Sequence, residues 1–154
     1  MNDFIFHNPD KVYFGKNQLE HLSEELLKFG KKVLLVYGGG SIKKNGLYDS
    51  IVTITKNSGI ELFELSGVEP NPRHSTVNKG AAICKKENIS VVLAAGGGST
   101  IDCAKGIAAA ALTENADVWP LVSNGVWVTE ALPVVAILTN AATGSEMDGW
   151  AVIS

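Results

Sequence analysis

The sequence predicts an α/β protein with a doubly wound, mostly parallel sheet. Three observations support this fold class: short apolar runs without polar alternation, helical periodicity between them, and loops rich in Gly, Ser and Thr after three of the runs. A strand that is apolar on both faces is typical of a parallel sheet with helices on both sides. Alternation of strands and helices along the chain then gives the doubly wound arrangement.

The N-terminal third begins with an aromatic and β-branched segment, Phe4–Gly15, which predicts one or two short strands. Leucine and phenylalanine then recur at spacings of three and four, which predicts a helix over Lys16–Phe29. Gly30 follows and is expected to end that helix, because glycine tolerates left-handed backbone geometry.

The remaining elements alternate in the same way. Strands are predicted at Lys32–Tyr37, Glu61–Leu65, Ser90–Ala95 and Pro133–Leu138, of which the first and last are expected to be buried. Helices are predicted around Leu47, Ile51 and Ile54, from an N-cap at Ser75 to about Glu87, and from Thr100 to about Thr113. Residues Asn115–Thr129 contain Trp-Pro and Asn-Gly turn signals and are expected to be irregular.

Length and composition limit the function classes. A chain of 154 residues with 45% hydrophobic content is expected to form one well-packed domain, residues 1–154. A formal net charge of −3 gives nucleic-acid binding no electrostatic support. No apolar run approaches the roughly 18 residues that span a bilayer, and the N-terminus lacks the pattern of a signal peptide. We therefore expect a cytoplasmic protein with no membrane partner.

The residue types that usually carry metal or nucleophilic chemistry are sparse. Cys84 and Cys103 lie far apart in two predicted helices and are interpreted as small buried residues. His7, His21 and His74 are scattered, so neither a metal site nor a catalytic triad is expected in this chain. The sequence can hold a cofactor, but it shows no residues that would activate a substrate.

The candidate site lies in three loops that follow predicted strands: Gly38–Ser41, Gly96–Thr100 and Thr139–Ser145. In an open parallel sheet, loops at the carboxyl ends of the strands form the ligand crevice. Three glycines and a serine directly before the fourth predicted helix favour an anion at its N-terminus. The sixth position is Ile101, so the loop is not the G-x-G-x-x-G fingerprint, and a purely structural turn remains an alternative.

The first loop bears on which dinucleotide would bind. A carboxylate that accepts from the ribose 2′-hydroxyl is usual in NAD-specific sites, and none occurs between Lys32 and Tyr48. Ser41, Lys43 and Lys44 would instead favour a 2′-phosphate, which predicts NADP(H). The alternative is a glycine turn beside solvated lysines. Asp102 and Lys105, in the first turns of the fourth predicted helix, are interpreted as structural.

Four motifs occur together in order: the segment from Tyr37 to Gly46, Glu69-Pro70-Asn71-Pro72, the segment from Gly96 to Lys105, and Ala142-Thr143-Gly144-Ser145-Glu146. In this combination the chain resembles the iron-containing (group III) alcohol dehydrogenases, in particular their NADPH-dependent butanol dehydrogenase and aldehyde reductase branch. The resemblance runs the whole length. It implies a Rossmann-like dinucleotide-binding domain of the dehydroquinate-synthase-like type.

The resemblance also implies what this chain does not carry. In that family a second, helical domain binds Fe(II) or Zn(II) through one Asp and three His, and nothing in this sequence corresponds to it. The chain is expected to be the cofactor domain alone and to turn over no alcohol or aldehyde by itself. A possible homodimer, or self-association through a surface meant for the helical domain, is a further expectation.

Family roles carry over by position. The resemblance implies that Gly97, Gly98 and Ser99 hold the pyrophosphate, and that Gly38, Gly39 and Ser41 line the adenosine ribose and its 2′-phosphate. It places Asn71 beside the adenine ribose. The residues expected at the nicotinamide end are Thr139, Asn140 and Ser145. Asn140 departs from the family pattern, and the role of Asp148 is left open.

The sequence leaves two alternatives to the NADP(H)-binding domain of an alcohol dehydrogenase. A glycerol-dehydrogenase-like or dehydroquinate-synthase-like member would favour NAD and carry an acidic residue after the first strand, which this chain lacks. A non-catalytic nucleotide-binding module would need no metal ligands at all.

Overall fold

The computed structural model describes residues 8–114, 117–126 and 128–154. Within them lies a four-stranded sheet of β1 (Lys32–Tyr37), β2 (Glu61–Leu65), β3 (Val91–Gly96) and β4 (Val134–Leu138). The strand order is β2-β1-β3-β4, and every neighbouring pair is parallel. The α/β fold class with a parallel sheet is therefore confirmed.

Helices connect the strands. They are α1 (Leu22–Leu27), α2 (Ser41–Lys44), α3 (Leu47–Asn57), α4 (His74–Glu87), α5 (Gly98–Ala111) and α6 (Trp119–Ser123), with short 3₁₀ turns at Gln18–His21 and Ser145–Met147. None of these described helices is long and apolar enough to cross a bilayer.

The two faces of β1 show why the sheet is covered on both sides. Val33 and Leu35 point to one face, where they pack with residues of α1 and α3. Leu34 and Val36 point to the other face, where they pack with residues of α4 and α5. All four side chains are fully buried. Burying each of these side chains contributes about 1.5–3 kcal/mol to the stability of the folded state. Because they pack on both faces of the sheet, β1 lies at the centre of both cores.

The chain direction across the sheet reverses between β1 and β3. From β1 the chain moves outward to β2, then crosses back over β1 to β3 and continues to β4. The connections that leave β1 and β3 therefore diverge to opposite faces of the sheet. At such a switch point the two loops part and leave a crevice at the carboxyl ends of the strands.

The predicted strand at Phe4–Gly15 is wrong for the part that the structure describes. Residues 8–14 have no regular structure, and residues 4–7 lie outside the described part. The aromatic pattern has another cause: the Tyr13 ring stacks on His21 with centroids 4.3 Å apart, and its hydroxyl donates to Glu25. Tyr13 thus joins the segment to the 3₁₀ turn and to α1, which follow it in the chain.

Several predicted boundaries also shift. The predicted helix over Lys16–Phe29 divides into the 3₁₀ turn at Gln18–His21 and the shorter α1. The predicted N-cap at Ser75 is wrong, because α4 already begins at His74, after an extended Arg73. The stretch expected to be irregular contains α6, while residues 115, 116 and 127 lie outside the described part.

The predicted start of α5 at Thr100 is two residues late. The backbone N–H groups of Thr100 and Ile101 donate to the Gly97 carbonyl at 3.0 and 3.2 Å, which makes Gly97 the N-cap. Gly98 and Ser99 are therefore the first helical residues. The glycine loop is the start of the helix itself.

β4 was predicted as a buried strand, and this is also wrong. Its residues are half-buried, with Ala136 exposed, because β4 is the edge strand of the described sheet and pairs with β3 on one side.

Candidate functional site

Backbone hydrogen bonds tie the loops after neighbouring strands together. The Thr139 N–H donates to the Gly96 carbonyl at 2.9 Å and links the loop after β4 to the end of β3. On the other side, the Gly67 N–H donates to the Gly38 carbonyl at 3.3 Å and links the loops after β2 and β1. The crevice is therefore bounded by loops from all four strands.

The N-terminus of α5 lies at the centre of this crevice. Gly96 is in close contact with the Thr100 side chain, since a Cβ atom there would lie 2.5 Å from Thr100 Oγ1. By contrast, a Cβ atom on Gly97 would meet no atom within 4 Å, so the backbone there faces open space. The first N–H groups of a helix have no intrahelical acceptor, and they attract anions. The start of α5 therefore leaves space for a ligand atom close to the Gly97 backbone.

Hydroxyl groups surround the same helix start. Ser145 is buried, and its Oγ lies 3.4 Å from Thr143 Oγ1. A Cβ atom on Gly98 would lie 3.1 Å from Ser145 Oγ, so the loop after β4 reaches the first turn of α5. On the opposite side, the Asn71 N–H donates to Ser99 Oγ at 3.4 Å. The structure thus brings Asn71, Gly98, Ser99 and Ser145 together at the start of α5.

The loop after β1 borders this cluster through Gly38. A Cβ atom on Gly38 would lie 3.4 Å from the Val68 carbonyl oxygen and 3.9 Å from Thr100 Oγ1. Gly40, with φ of 111°, turns the chain from β1 into α2 in a conformation that favours glycine. The predicted site residues with exposed positions along the rim of the crevice are Gly39, Ser41, Thr139 and Asn140.

A polar cluster beside this loop was missed by the sequence prediction. The Glu64 carboxylate of β2 accepts two hydrogen bonds, from the Tyr37 hydroxyl at 2.8 Å and the Tyr48 hydroxyl at 2.7 Å. Lys43 Nζ lies 5.2 Å from the centre of the Tyr37 ring and 4.4 Å from that of Tyr48. We call Tyr37, Lys43, Tyr48 and Glu64 the tyrosine clamp. Tyrosine at the end of an otherwise aliphatic strand was the available signal.

The electrostatics of the tyrosine clamp follow from these contacts. The pKa of Lys43 is raised, first by its interaction with the Tyr37 hydroxyl and further by the charge of Glu64. The pKa of Tyr48 is raised as well, mainly because its hydroxyl donates to the Glu64 carboxylate. At neutral pH Lys43 is therefore a charged ammonium and Tyr48 a neutral phenol.

Asp102 and Lys105 have structural roles, as interpreted from the sequence. The Asp102 carboxylate accepts from the Val152 backbone N–H at 3.1 Å. Lys105 donates to Asp148 Oδ1 at 2.8 Å and to the Trp150 carbonyl at 2.7 Å. Both residues fasten the segment 148–154 to α5, and Asp148 gains the role that the sequence left open.

The described residues include no group of three or more His, Cys, Asp or Glu side chains that could hold a metal ion. Burial raises the pKa of the Cys84 and Cys103 thiols to about 12, so both are neutral near pH 7. His7 lies outside the described residues, and the ring of His74 packs against Trp119 with centroids 5.3 Å apart.

The chain is similar in sequence to a family of known dehydrogenases. The family model for iron-containing alcohol dehydrogenase matches residues 9–154. The NADH-dependent butanol dehydrogenase B of Clostridium acetobutylicum is 53% identical over 154 residues, covering 100% of this chain and 39% of that protein. The NADPH-dependent aldehyde reductase YqhD of Escherichia coli is 39% identical over 156 residues, covering 100% and 40%.

The solved structures agree with the sequence comparison. The crystal structure of NADH-dependent butanol dehydrogenase A from Thermotoga maritima superposes with a TM-score of 0.94 at 48% identity, covering 100% of this chain and 39% of that one. The chain thus spans about two fifths of the length of these relatives. Because the family model covers nearly all of the sequence, this chain belongs to the iron-containing alcohol dehydrogenase family.

Proposed function

We propose that this chain is the nicotinamide-dinucleotide-binding part of an enzyme that interconverts alcohols and aldehydes by hydride transfer. The observation that carries the proposal is the open start of α5 at the switch point of the sheet, where the Gly97 backbone faces free space. Membership of a dehydrogenase family supports the reaction class, and the relatives' printed names specify butanol and aldehydes.

The proposed cofactor lies along the crevice. Its pyrophosphate sits at Gly97, Gly98 and Ser99, where backbone N–H groups and the helix dipole complement negative charge. Its adenosine ribose lies against Gly38, Gly39 and Ser41, with Asn71 beside it. The nicotinamide end points toward Thr139, Asn140 and Ser145. When bound, the nicotinamide supplies or accepts the hydride, and the residues of this chain bind and orient it.

The proposed site in the described residues is one for the cofactor, and those residues include no group of three or more His, Cys, Asp or Glu side chains that could hold a metal ion. A metal ion, Fe(II) or Zn(II), is therefore proposed only for the longer enzymes that this chain resembles. A homodimeric state and a cytoplasmic location remain predictions from the sequence.

The preference between NADP(H) and NAD(H) has two competing hypotheses. Ser41 and Lys44, together with the lack of a carboxylate in the loop after β1, favour NADP(H). Two observations favour NAD(H): Lys43 lies over the tyrosine rings, and two relatives near 50% identity are named as NADH-dependent. One relative at lower identity is named as NADPH-dependent.

Calorimetric titration with NADPH and, separately, with NADH tests both the site and the preference. Gly97→Ala is expected to weaken binding of either nucleotide at least about ten-fold, because the added methyl group separates the pyrophosphate from the helix start. Gly149→Ala is the matched control, since its Cβ atom also meets nothing within 4 Å but lies outside the three loops.

The outcomes separate the hypotheses. Binding that is lost in Gly97→Ala and kept in Gly149→Ala supports the dinucleotide site, and the tighter of the two nucleotides identifies the preference. Equal loss in both variants, or no binding of either nucleotide to the unsubstituted chain, contradicts the proposed function.

A further inference from the structure

The tyrosine clamp lies where a dinucleotide site distinguishes its two possible cofactors. Tyr37 is the last residue of β1, directly before the predicted ribose-binding loop, and Lys43 lies in the short helix that Ser41 begins. Glu64 is held beside them by the sheet, because it pairs with Leu35 in the parallel register of β1 and β2. A carboxylate and an ammonium are thus fixed beside the loop that would contact the ribose.

The Lys43 ammonium is engaged from two sides. It lies over the rings of Tyr37 and Tyr48, whose centroids are 5.7 Å apart with planes inclined at 57°. Both ring hydroxyls donate to Glu64, one to each carboxylate oxygen, which fixes the orientation of the two rings. Cation–π contacts and a nearby carboxylate favour this position of the ammonium over a solvated one.

We infer that Glu64 is a positioning residue that, through Tyr37 and Tyr48, holds Lys43 away from a ribose 2′-phosphate and so shifts the site toward NAD(H). The inference rests on the proposed function, because it requires that a dinucleotide binds in the crevice. The inference explains how the site would favour NAD(H) although the loop after β1 has basic side chains and no carboxylate. The carboxylate comes from β2 instead, and it acts on the lysine.

The effect of Glu64 on the ratio of NADPH to NADH affinity is expected to be small but measurable. To contact a 2′-phosphate, Lys43 must give up its ring contacts and the attraction of Glu64. An exposed cation–π contact corresponds to about a five-fold change in an equilibrium. Glu64→Gln keeps the rings and removes the charge, so it is expected to raise the ratio of NADPH to NADH affinity about two- to five-fold, the effect of one exposed charge pair.

The experiment compares four variants of the 154-residue chain by titration with NADPH and NADH. They are Glu64→Gln, Lys43→Gln, the double variant with both changes, and Glu61→Gln as the control. Glu61 is the exposed first residue of the same strand, at its amino end, so its substitution removes an equal charge outside the clamp. Glu61→Gln is expected to leave the affinity ratio unchanged.

The double variant separates positioning from simple repulsion. If Glu64 acts through Lys43, Glu64→Gln has no effect on the affinity ratio when Lys43→Gln is already present. A gain that persists in the double variant means that Glu64 repels the phosphate directly, and it overturns the inference. So does an unchanged ratio in Glu64→Gln while both nucleotides still bind. If the unsubstituted chain binds neither nucleotide, the proposed function itself fails, and the clamp inference fails with it.

Discussion

At the scale of single residues, neighbouring glycines in the crevice serve different purposes. Gly96 is required by packing, because a Cβ atom there would lie 2.5 Å from Thr100 Oγ1 and 2.8 Å from Thr100 Cβ. Gly97 has free space around it and an extended backbone that any residue can adopt. One glycine therefore supports the fold, and the other keeps the helix start accessible.

Substitution by alanine should separate these purposes. Gly96→Ala is expected to lower the free energy of unfolding by about 1–3 kcal/mol, the usual cost of forcing extra volume into a packed site. Gly97→Ala should change it by less than about 0.5 kcal/mol. Urea denaturation followed by circular dichroism measures both. Equal destabilisation by the two variants would mean that the glycines share a structural role.

Glu25 predicts a specific dependence of stability on pH. It accepts hydrogen bonds from Lys11 at 2.6 Å, Lys28 at 2.7 Å and the Tyr13 hydroxyl, and these lower its pKa from 4.5 to about 2. A lowered carboxyl pKa stabilises the folded state above the unfolded-state pKa, and this stabilisation disappears as the pH falls through the folded-state value. The contribution should therefore be complete above about pH 4.5 and lost toward pH 2.

The test compares the unsubstituted chain with Glu25→Gln in denaturant titrations between pH 2 and pH 7. The difference in their unfolding free energies should be constant at neutral pH and shrink below about pH 4.5. Glu61→Gln serves as the control, because Glu61 is an exposed glutamate at the start of β2. A Glu25→Gln difference that is independent of pH would refute the assignment of this dependence to Glu25.

At the scale of secondary-structure elements, α5 joins the site to the last residues of the chain. Its first turn borders the crevice, while Asp102 and Lys105 bind the backbone or side chains of the segment 148–154. One turn further along, Ile153 packs against Gly106, where a Cβ atom would lie 2.5 Å from Ile153 Cδ1. Ser154 is also bonded through its backbone to Pro72 and His74, so loss of the contacts to α5 should loosen residues 148–153 without unfolding the sheet.

Asp102→Ala tests this coupling. Removal of the carboxylate leaves the Val152 N–H without its acceptor, and a hydrogen bond to a charged group corresponds to about a ten-fold or larger change in local opening. We expect faster amide exchange at Val152 and faster chymotryptic cleavage after Trp150. Asp49→Ala, on the exposed first turn of α3, is the control and should change neither rate. Unchanged exchange in Asp102→Ala would show that other contacts hold the segment.

The same elements show what sequence reasoning could and could not predict. β1 and β3 were predicted to within one residue, because a strand apolar on both faces has few other stable environments. The aromatic N-terminal segment was misassigned, since its pattern does not reveal whether Tyr13 packs on a strand or on a helix. The glycine loops were recognisable locally. The Tyr37–Glu64 contact was not, because it depends on the register of two strands whose residues are 27 positions apart.

At the scale of the whole molecule, large apolar side chains remain on the surface. The side chain of Phe14 is 96% exposed and that of Val12 is 60% exposed, both in the irregular segment before α1. Trp150 and Val152 are also largely exposed, in the segment bound to α5. Such exposed apolar groups favour association between copies of a protein. These exposed side chains are therefore the residues that we expect to mediate the predicted self-association of this chain.

Sedimentation velocity over a hundred-fold range of concentration (~1–100 μM) tests this prediction, because even weak apolar association shifts with concentration in the micromolar range. The average mass should rise with concentration, and the double variant Val12→Ser/Phe14→Ser should reduce that rise. The unfolding midpoint should stay unchanged, because side chains this exposed contribute little to the core. Leu112→Ser, at the end of α5, is the control for loss of an exposed apolar residue elsewhere. A monomeric mass at every concentration would refute the prediction, and an equal effect of Leu112→Ser would show that association is not specific to the N-terminal segment.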